Sequence, residues 1–255
     1  MRVIVIGRGK MGTLLSESAA AHGHEVIAMA DAANQDEVKP LDCDAVIDFS
    51  HPDNLEWVCA YVRARHCVLI CGTTGLNDAQ KQLLQQTAQA CPVFYSANFS
   101  YGIAMLEKML EMLTPLLKED FDMEVVEAHH GQKQEAPSGT AAMLVEAMDP
   151  HHEFKRVYGR EGFVGKRGKE IGIHAIRGGT VAGEHTVLYL GQDESLKITH
   201  TASSRMIFVN GAWKALDFMA KRPNGYYTKK DLIGEEQRMH KISSISYTTR
   251  RRRRR

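Results

Sequence analysis

Met1-Arg-Val-Ile-Val-Ile-Gly7-Arg-Gly-Lys-Met-Gly12 opens the chain, and its reading decides the fold. Val3 to Ile6 are β-branched without interruption, so Arg2 to Ile6 predicts a short buried strand. The run ends in Gly-x-Gly-x-x-Gly, and Leu14, Leu15, Ala19 and Ala20 beyond it carry a helical period. Strand, glycine loop and helix is the arrangement that binds a dinucleotide. Gly7 makes the tight turn, Gly9 lets the backbone approach the pyrophosphate and Gly12 allows close helix packing, with Arg8, Lys10 and Met11 completing the loop. A second strand, Glu25 to Ala30, ends at Asp31, 24 residues after Gly7, about where an acid holds the adenine ribose. Asp31 favours NADH, because a carboxylate repels a 2′-phosphate and Ala32, Ala33 and Asn34 supply no cation. Arg8 or Lys10 could reach such a phosphate, so NADH and NADPH both stay open as cofactors.

The pattern repeats. Ala45–Phe49, Cys67–Cys71 and Pro92–Tyr95 read as further strands, separated by helices over Asp53–Arg65 (Leu55, Val58, Cys59 and Val62 inward) and Asn77–Ala90. Such alternation demands an α/β fold with a doubly wound parallel sheet of the Rossmann type, whose ligand lies beyond the C-terminal strand ends. Gly72-Thr73-Thr74-Gly75 and Ser96-Ala97-Asn98-Phe99 fall at those ends, beside the Gly7 loop.

The second half changes character. Ile103, Leu106, Leu110, Leu113 and Leu117 mark a helix, and Met123, Val125 and Val126 a strand. Then Glu127-Ala-His-His-Gly-Gln-Lys-Gln-Glu-Ala-Pro-Ser-Gly-Thr-Ala141 places His129, His130 and Lys133 where a strand gives way to a loop, a common place for chemistry. Ser138, Gly139 and Thr140 open an apolar helical stretch (Ala141, Ala142, Leu144, Val145, Met148), and a helix N-terminus offers unpaired N–H groups to an anion. A carboxylate could sit there, facing His and Lys. The Gly- and Arg-rich segment from Tyr158 to Gly168 is too long for a tight turn, and loops of this length are commonly functional or mobile. Glu170–Ile176, Glu184–Leu190 and Ser195–Thr201 read as strands of an open mixed or antiparallel sheet. A last helix spans about Met206 to Ala220.

Composition sets the outer bounds. The 255 residues suffice for one large domain or two modest ones, and 44% hydrophobic with 25% charged residues is a globular balance. No apolar run approaches the roughly 20 residues of a membrane span, and the N-terminus runs straight into a strand without a signal-peptide pattern. Cytoplasmic residence is therefore expected, with no membrane partner. The five cysteines, Cys43, Cys59, Cys67, Cys71 and Cys91, have neither disulfide nor zinc spacing and read as buried free thiols, so no metal is expected. Six of the 32 basic residues are the run Arg250 to Arg255, which leaves the rest of the chain mildly acidic. With no aromatic interleaving, that run is read as part of a disordered tail over residues 235–255, and no nucleic-acid partner is expected.

The stretch from Glu127 to Ala141 closely resembles the signature of the 4-hydroxy-tetrahydrodipicolinate reductases, also called dihydrodipicolinate reductases. Gly-Thr-Thr-Gly, Asn-Phe-Ser-x-Gly, Arg177-Gly-Gly and Gly183-Glu-His-Thr are similar to further motifs of that family, and the resemblance runs from Met1 to about Gly234. It departs in detail: Glu135 stands where Asp is common, Ser96 replaces a small residue or Pro, and the glycine spacing at Gly9 differs. The resemblance implies a discontinuous nucleotide domain over 1–100 and 211–234. Between its two parts, 101–210 would form an α+β domain on an open mixed sheet for substrate binding and assembly into a homotetramer. It implies hydride transfer from NADH or NADPH to a small dicarboxylate, 4-hydroxy-tetrahydrodipicolinate, with loss of water, in lysine biosynthesis. His129 would donate a proton and Lys133 act as a second donor. His130, Ser138, Gly139 and Thr140 would hold carboxylates, while Gly72, Thr73, Thr74 and Ser96 to Phe99 would line the cofactor. A module that senses NAD(H) without turnover is the alternative, against which the His129 and Lys133 pair speaks.

Overall fold

The computed structural model describes residues 1–235. The described chain divides into two compact units, one formed by Met1–Phe99 with residues 208–235, the other by Ser100–Ile207. Phe208, Val209 and Asn210, expected in the inserted part, group with the first unit. Apart from Glu235, the expected tail lies outside the described residues.

In the first unit, β1 (Arg2–Ile6), β2 (Glu25–Ala30), β3 (Ala45–Asp48), β4 (Val68–Cys71) and β5 (Pro92–Tyr95) are joined by β11 (Gly225–Tyr227). All six are parallel, in the order β11-β5-β4-β3-β1-β2. Every residue of β3 and β4 is buried, as a sheet covered on both faces requires, which is why these strands read as unbroken apolar runs. The chain leaves β1 for β2 on one side and returns to β3 on the other. Such a reversal opens a ligand crevice at the C-terminal strand ends.

Helices α1 (Lys10–Ser18), α2 (Gln35–Val38), α3 (Leu55–Arg65) and α4 (Asp78–Thr87) cover this sheet. Leu55, Val58, Cys59 and Val62 of α3 are buried as their spacing demands. The helix expected from Asp53 instead begins as a 3₁₀ turn over Pro52–Asn54. Asn77 and Gln80 close a capping box that starts α4, each side chain accepting from the other's backbone N–H. α7 (Met206–Met219) is anchored by Trp213, wholly buried, whose indole N–H donates to Ser18 Oγ at 3.0 Å and whose ring stacks on His24. All five cysteines are free, but Cys43 is only half-buried, so the expectation of five buried thiols fails there.

The second unit holds β6 (Asp122–His129), β7 (Lys155–Tyr158), β8 (Glu170–Arg177), β9 (Gly183–Leu190) and β10 (Ser195–Ala202) in the order β10-β9-β6-β8-β7. β7, β8 and β6 run parallel, while β9 is antiparallel to β6 and β10. Helices α5 (Tyr101–Leu117) and α6 (Gly139–Met148) pack on one face. Ile103, Leu106 and Leu110 of α5 and Leu144 and Val145 of α6 meet Met123, Val125, Ile171, Ile173, Val187 and Tyr189 there in one core.

Strands β7 and β11 were not expected. The loop after β7 is also less free than its length suggests. Arg160 forks both carboxylate oxygens of Glu124 (2.9 and 3.1 Å), and Arg167 joins the same carboxylate while donating to the Met123 and Glu170 carbonyls. Gly172 makes room for that cluster, since a Cβ there would collide with Glu124 Oε2. No described helix is long and apolar enough to cross a membrane.

Candidate active site

Three loops of the first unit meet at the crevice. Gly7 has φ +106°, in the region that favours glycine, and a Cβ on it would fall 2.5 Å from the Phe49 carbonyl oxygen. Phe49 donates its N–H to Ile6, which sets the two chain segments side by side. A Cβ on Gly9 would touch nothing within 4 Å, and no side chain caps the first turn of α1. Open space above a glycine beside an uncapped helix N-terminus fits a dinucleotide pyrophosphate. Arg8, Gly9 and Lys10 are exposed, Met11 half-buried and Gly12 buried. Asp31 follows directly on β2, and the Gly7 N–H donates to Ala30 at 2.7 Å. The Asp31 carboxylate accepts from the Ala33 N–H at 2.9 Å.

The other expected cofactor residues divide into surface and brace. Thr74 and Ala97 are exposed. Thr73 is buried, and its hydroxyl accepts from the Ser50 N–H at 3.0 Å. Ser50 donates in turn to Asp48 through both N–H and hydroxyl (3.1 and 2.5 Å). Gly72 lies under the Phe49 ring, with a Cβ excluded at 2.4 Å. The Ser96 hydroxyl donates to the Asn98 carbonyl and accepts from the Asn98 N–H, closing its own turn. Phe99 is buried against Phe49 and Phe94. Thr73, Ser96 and Phe99 thus brace the loops from inside.

In the second unit, His129 is the last residue of β6 and Glu127 lies two residues before it, on the same face because strand side chains alternate. Glu127 is wholly buried. Its Oε2 lies 2.5 Å from His129 Nδ1, and Arg177 forks both oxygens at 2.8 and 2.9 Å. The Ser138 N–H donates to Oε1 at 3.0 Å. Ser138 also caps α6, its hydroxyl accepting from the Ala141 N–H at 3.1 Å and lying 3.0 Å from His185 Nε2. The His185 ring sits edge-on to that of His129, with centroids 5.2 Å apart. Burial first, then the neighbouring His129, pushes His185 down to about 4, so it is neutral at pH 7.

Four of the expected residues flank this group. Gly139 and Thr140 form the first turn of α6, where a Cβ on Gly139 would meet nothing. His130 is half-buried and starts a loop in which its carbonyl accepts the Lys133 N–H. The Lys133 ammonium pairs with the Glu135 carboxylate, whose own carbonyl accepts from Arg177 Nη2 at 2.6 Å. Among the described residues, no group of three or more His, Cys, Asp or Glu is placed to hold a metal ion.

The model for "Dihydrodipicolinate reductase, N-terminus" matches residues 1–99, and that for "Dihydrodipicolinate reductase, C-terminus" matches residues 102–233. The chain belongs to the dihydrodipicolinate reductase family. The 4-hydroxy-tetrahydrodipicolinate reductase of an Exiguobacterium species is 39% identical over 92% of this chain and 96% of its own length. Those of Clostridium tetani (35%; 89% and 94%) and Staphylococcus aureus strain MRSA252 (39%; 91% and 100%) are similar throughout. Among solved structures, a dipicolinate-bound dihydrodipicolinate reductase from Paenisporosarcina sp. TG-14 superposes with a TM-score of 0.72 at 19% identity, over 89% of this chain and 97% of that one. A probable dehydrogenase from Thermotoga maritima reaches 0.59 at 11% identity, over 91% and 92%. At these identities both show the fold alone.

Three polar residues of this reductase carry structure that the sequence reading left without a role: Glu127, Arg177 and His185. Alternation alone would have put Glu127 beside His129. Arg177 and His185 needed the strand register, which sets Arg177 opposite His129 and His185 opposite Glu127.

Proposed function

We propose that His129 and Lys133 donate protons in the NAD(P)H-dependent reaction of this family. The chain reduces (2S,4S)-4-hydroxy-2,3,4,5-tetrahydrodipicolinate to tetrahydrodipicolinate with loss of water, in the diaminopimelate route to lysine. The observation that carries the assignment is the buried Glu127 carboxylate, which takes hydrogen bonds from the His129 ring and from the first residue of the α6 cap. One group so fixes an acid beside an anion site.

The N-terminal unit holds the cofactor through the Gly7 to Gly12 loop, with Asp31 on the ribose and the Gly72 to Thr74 and Ser96 to Phe99 loops shaping the crevice. When bound, the nicotinamide supplies a hydride. The hydroxyl leaves as water, so the overall reaction takes up one net proton for each hydride. His129 is buried and held at one ring nitrogen, as a directed proton donor should be. Lys133 must exchange Glu135 for a substrate carboxylate to act as the second donor. His130, Ser138, Gly139 and Thr140 bind carboxylate. The Paenisporosarcina protein is described as dipicolinate-bound, and an α6 N-terminus suits such a dicarboxylate. The reading includes a cytoplasmic homotetramer built on the outer face of the second sheet, where Ile176 and Leu190 are exposed. Light scattering of the purified chain checks that assembly.

NADH oxidation with freshly generated substrate tests the whole. His129→Gln and Lys133→Ala should each lower kcat by about 10²–10⁴-fold with NADH affinity intact, and His130→Gln should mainly raise KM. Near-normal kcat in His129→Gln would remove that residue as the donor. NADH binding without turnover in the unmodified chain would favour a sensor.

A further inference from the structure

We infer that Glu127, clamped by Arg177, is a positioning residue that holds the His129 proton on Nδ1, leaves Nε2 as the transferring atom and ties that ring to the α6 anion site. The inference rests on His129 being the proton donor. An ionised carboxylate only accepts hydrogen bonds, so the ring nitrogen 2.5 Å from Glu127 Oε2 must carry a hydrogen. The exchangeable proton of the imidazolium is then the one on Nε2. After transfer, the ring is left as the neutral Nδ1–H form, which is the form Glu127 holds. Gly183 keeps a side chain off Nε2: a Cβ there would come within 3.1 Å of that nitrogen.

Ionisation of Glu127 is secured by its partners. Burial pushes the carboxyl up, but hydrogen bonds from Arg177, His129 and the Ser138 N–H outweigh it, and the group lies below the usual carboxylate range. Arg177 reaches its place by register, directly across β8 from His129. Its Nη2 is shared between Glu127 and the Glu135 carbonyl, so one guanidinium holds both the carboxylate and the loop that carries Lys133. The charged and titratable groups facing the pair are Arg177 on β8, His185 on β9, and Lys133 and Glu135 in the loop, with His200 of β10 behind His185. His185, neutral at pH 7, does not compete as a proton source.

Removing the carboxylate while keeping its shape frees the ring to adopt either tautomer and takes away the counter-charge of the imidazolium. In the full chain, Glu127→Gln should therefore lose about 10²-fold or more in kcat, as expected when a buried carboxylate no longer orients a histidine. KM and NADH affinity should stay within about threefold, and the alkaline limb of kcat should move down by about half a pH unit or more. Arg177→Lys, which keeps the charge but not the fork, should fall between the two. Nitrogen NMR of the unmodified chain, with the His129 signal assigned by its loss in His129→Gln, should show the neutral ring protonated at Nδ1. That last measurement needs no variant at Glu127 to fold. An Nε2–H tautomer, or a folded Glu127→Gln with kcat within twofold and an unmoved alkaline limb, would overturn the inference. If His129→Gln is inactive in that same experiment, the proton-donor reading survives and only the role of Glu127 falls.

Discussion

Gly12 lies so close to Gly7 that a Cβ on it would fall 1.8 Å from the Gly7 carbonyl oxygen, whereas a Cβ on Gly9, between them, would meet nothing within 4 Å. The two glycines therefore serve different ends, and alanine separates them. Gly12→Ala must push α1 off the sheet and should lower the melting temperature markedly. Gly9→Ala should melt like the unmodified chain yet bind NADH about tenfold or more weaker, a loss of roughly 1.4 kcal/mol, because its methyl fills the space left for the pyrophosphate. Calorimetric titration and thermal melts of both variants check this, and full NADH affinity in Gly9→Ala would remove that loop position from the cofactor site.

Asp31 sets the expected cofactor preference. It follows β2 with its carboxylate held by the Ala33 N–H, and the nearby residues 32–34 carry no charge, while Arg8 and Lys10 are exposed. NADH should bind at least as tightly as NADPH, and Asp31→Asn should narrow the difference by removing repulsion of the 2′-phosphate. Titrating both cofactors decides it. NADPH bound about tenfold tighter by the unmodified chain, roughly 1.4 kcal/mol, would show that Arg8 or Lys10 outweighs Asp31.

Much of this was legible in sequence, for reasons that particular residues make plain. β3 and β4 are buried on both faces, so Ala45 to Asp48 and Val68 to Cys71 had to be apolar almost throughout. β7 begins with Lys155 and Arg156 at a sheet edge, and β11 is only Gly225–Tyr227. Neither is long or apolar enough to show a period. In the site, residue types were readable but side-chain direction was not: the Thr73 hydroxyl meets Ser50 on the loop after β3, and that of Ser96 turns onto its own loop. Arg177 meets Glu127 across 50 residues of chain, a contact that only the pairing of β6 with β8 creates.

Two buried groups should oppose each other in the pH dependence of stability. Burial pushes Asp48 up from 3.8 to about 6, against hydrogen bonds from Ser50, Thr73 and Cys71. The folded state then keeps a proton that the unfolded chain has released, so this contribution is full below about pH 4 and is lost as pH rises through 6. His185 is depressed from 6.5 to about 4, so the unfolded chain takes up a proton that the folded one refuses. Its contribution is full above 6.5 and lost as pH falls towards 4. Asp48→Asn should accordingly raise the melting temperature above pH 6 and change it little near pH 4. His185→Gln should do least harm at acid pH. Melts across about pH 4 to 8 test both signs, and a constant offset for Asp48→Asn at every pH would mean that the carboxyl is not protonated in the folded chain.

The α6 N-terminus gives the last prediction. Ser138 caps the helix with its hydroxyl and donates its own N–H to Glu127. Gly139 is exposed, and a Cβ on it would touch nothing within 4 Å. A larger residue there can be accommodated without moving the core but would stand over the end of the helix, where a carboxylate must approach the N–H groups. Gly139→Val should therefore raise KM for the dicarboxylate by about tenfold or more, the scale of one lost charge-assisted hydrogen bond, with NADH affinity and melting temperature nearly unchanged. Ser138→Ala should behave differently. It removes the cap, at about 1 kcal/mol, and takes a partner from His185, so it should lower stability as well as substrate binding. If Gly139→Val left KM unmoved, the carboxylate would have to bind elsewhere in the second unit, and the α6 N-terminus would be only the start of a helix.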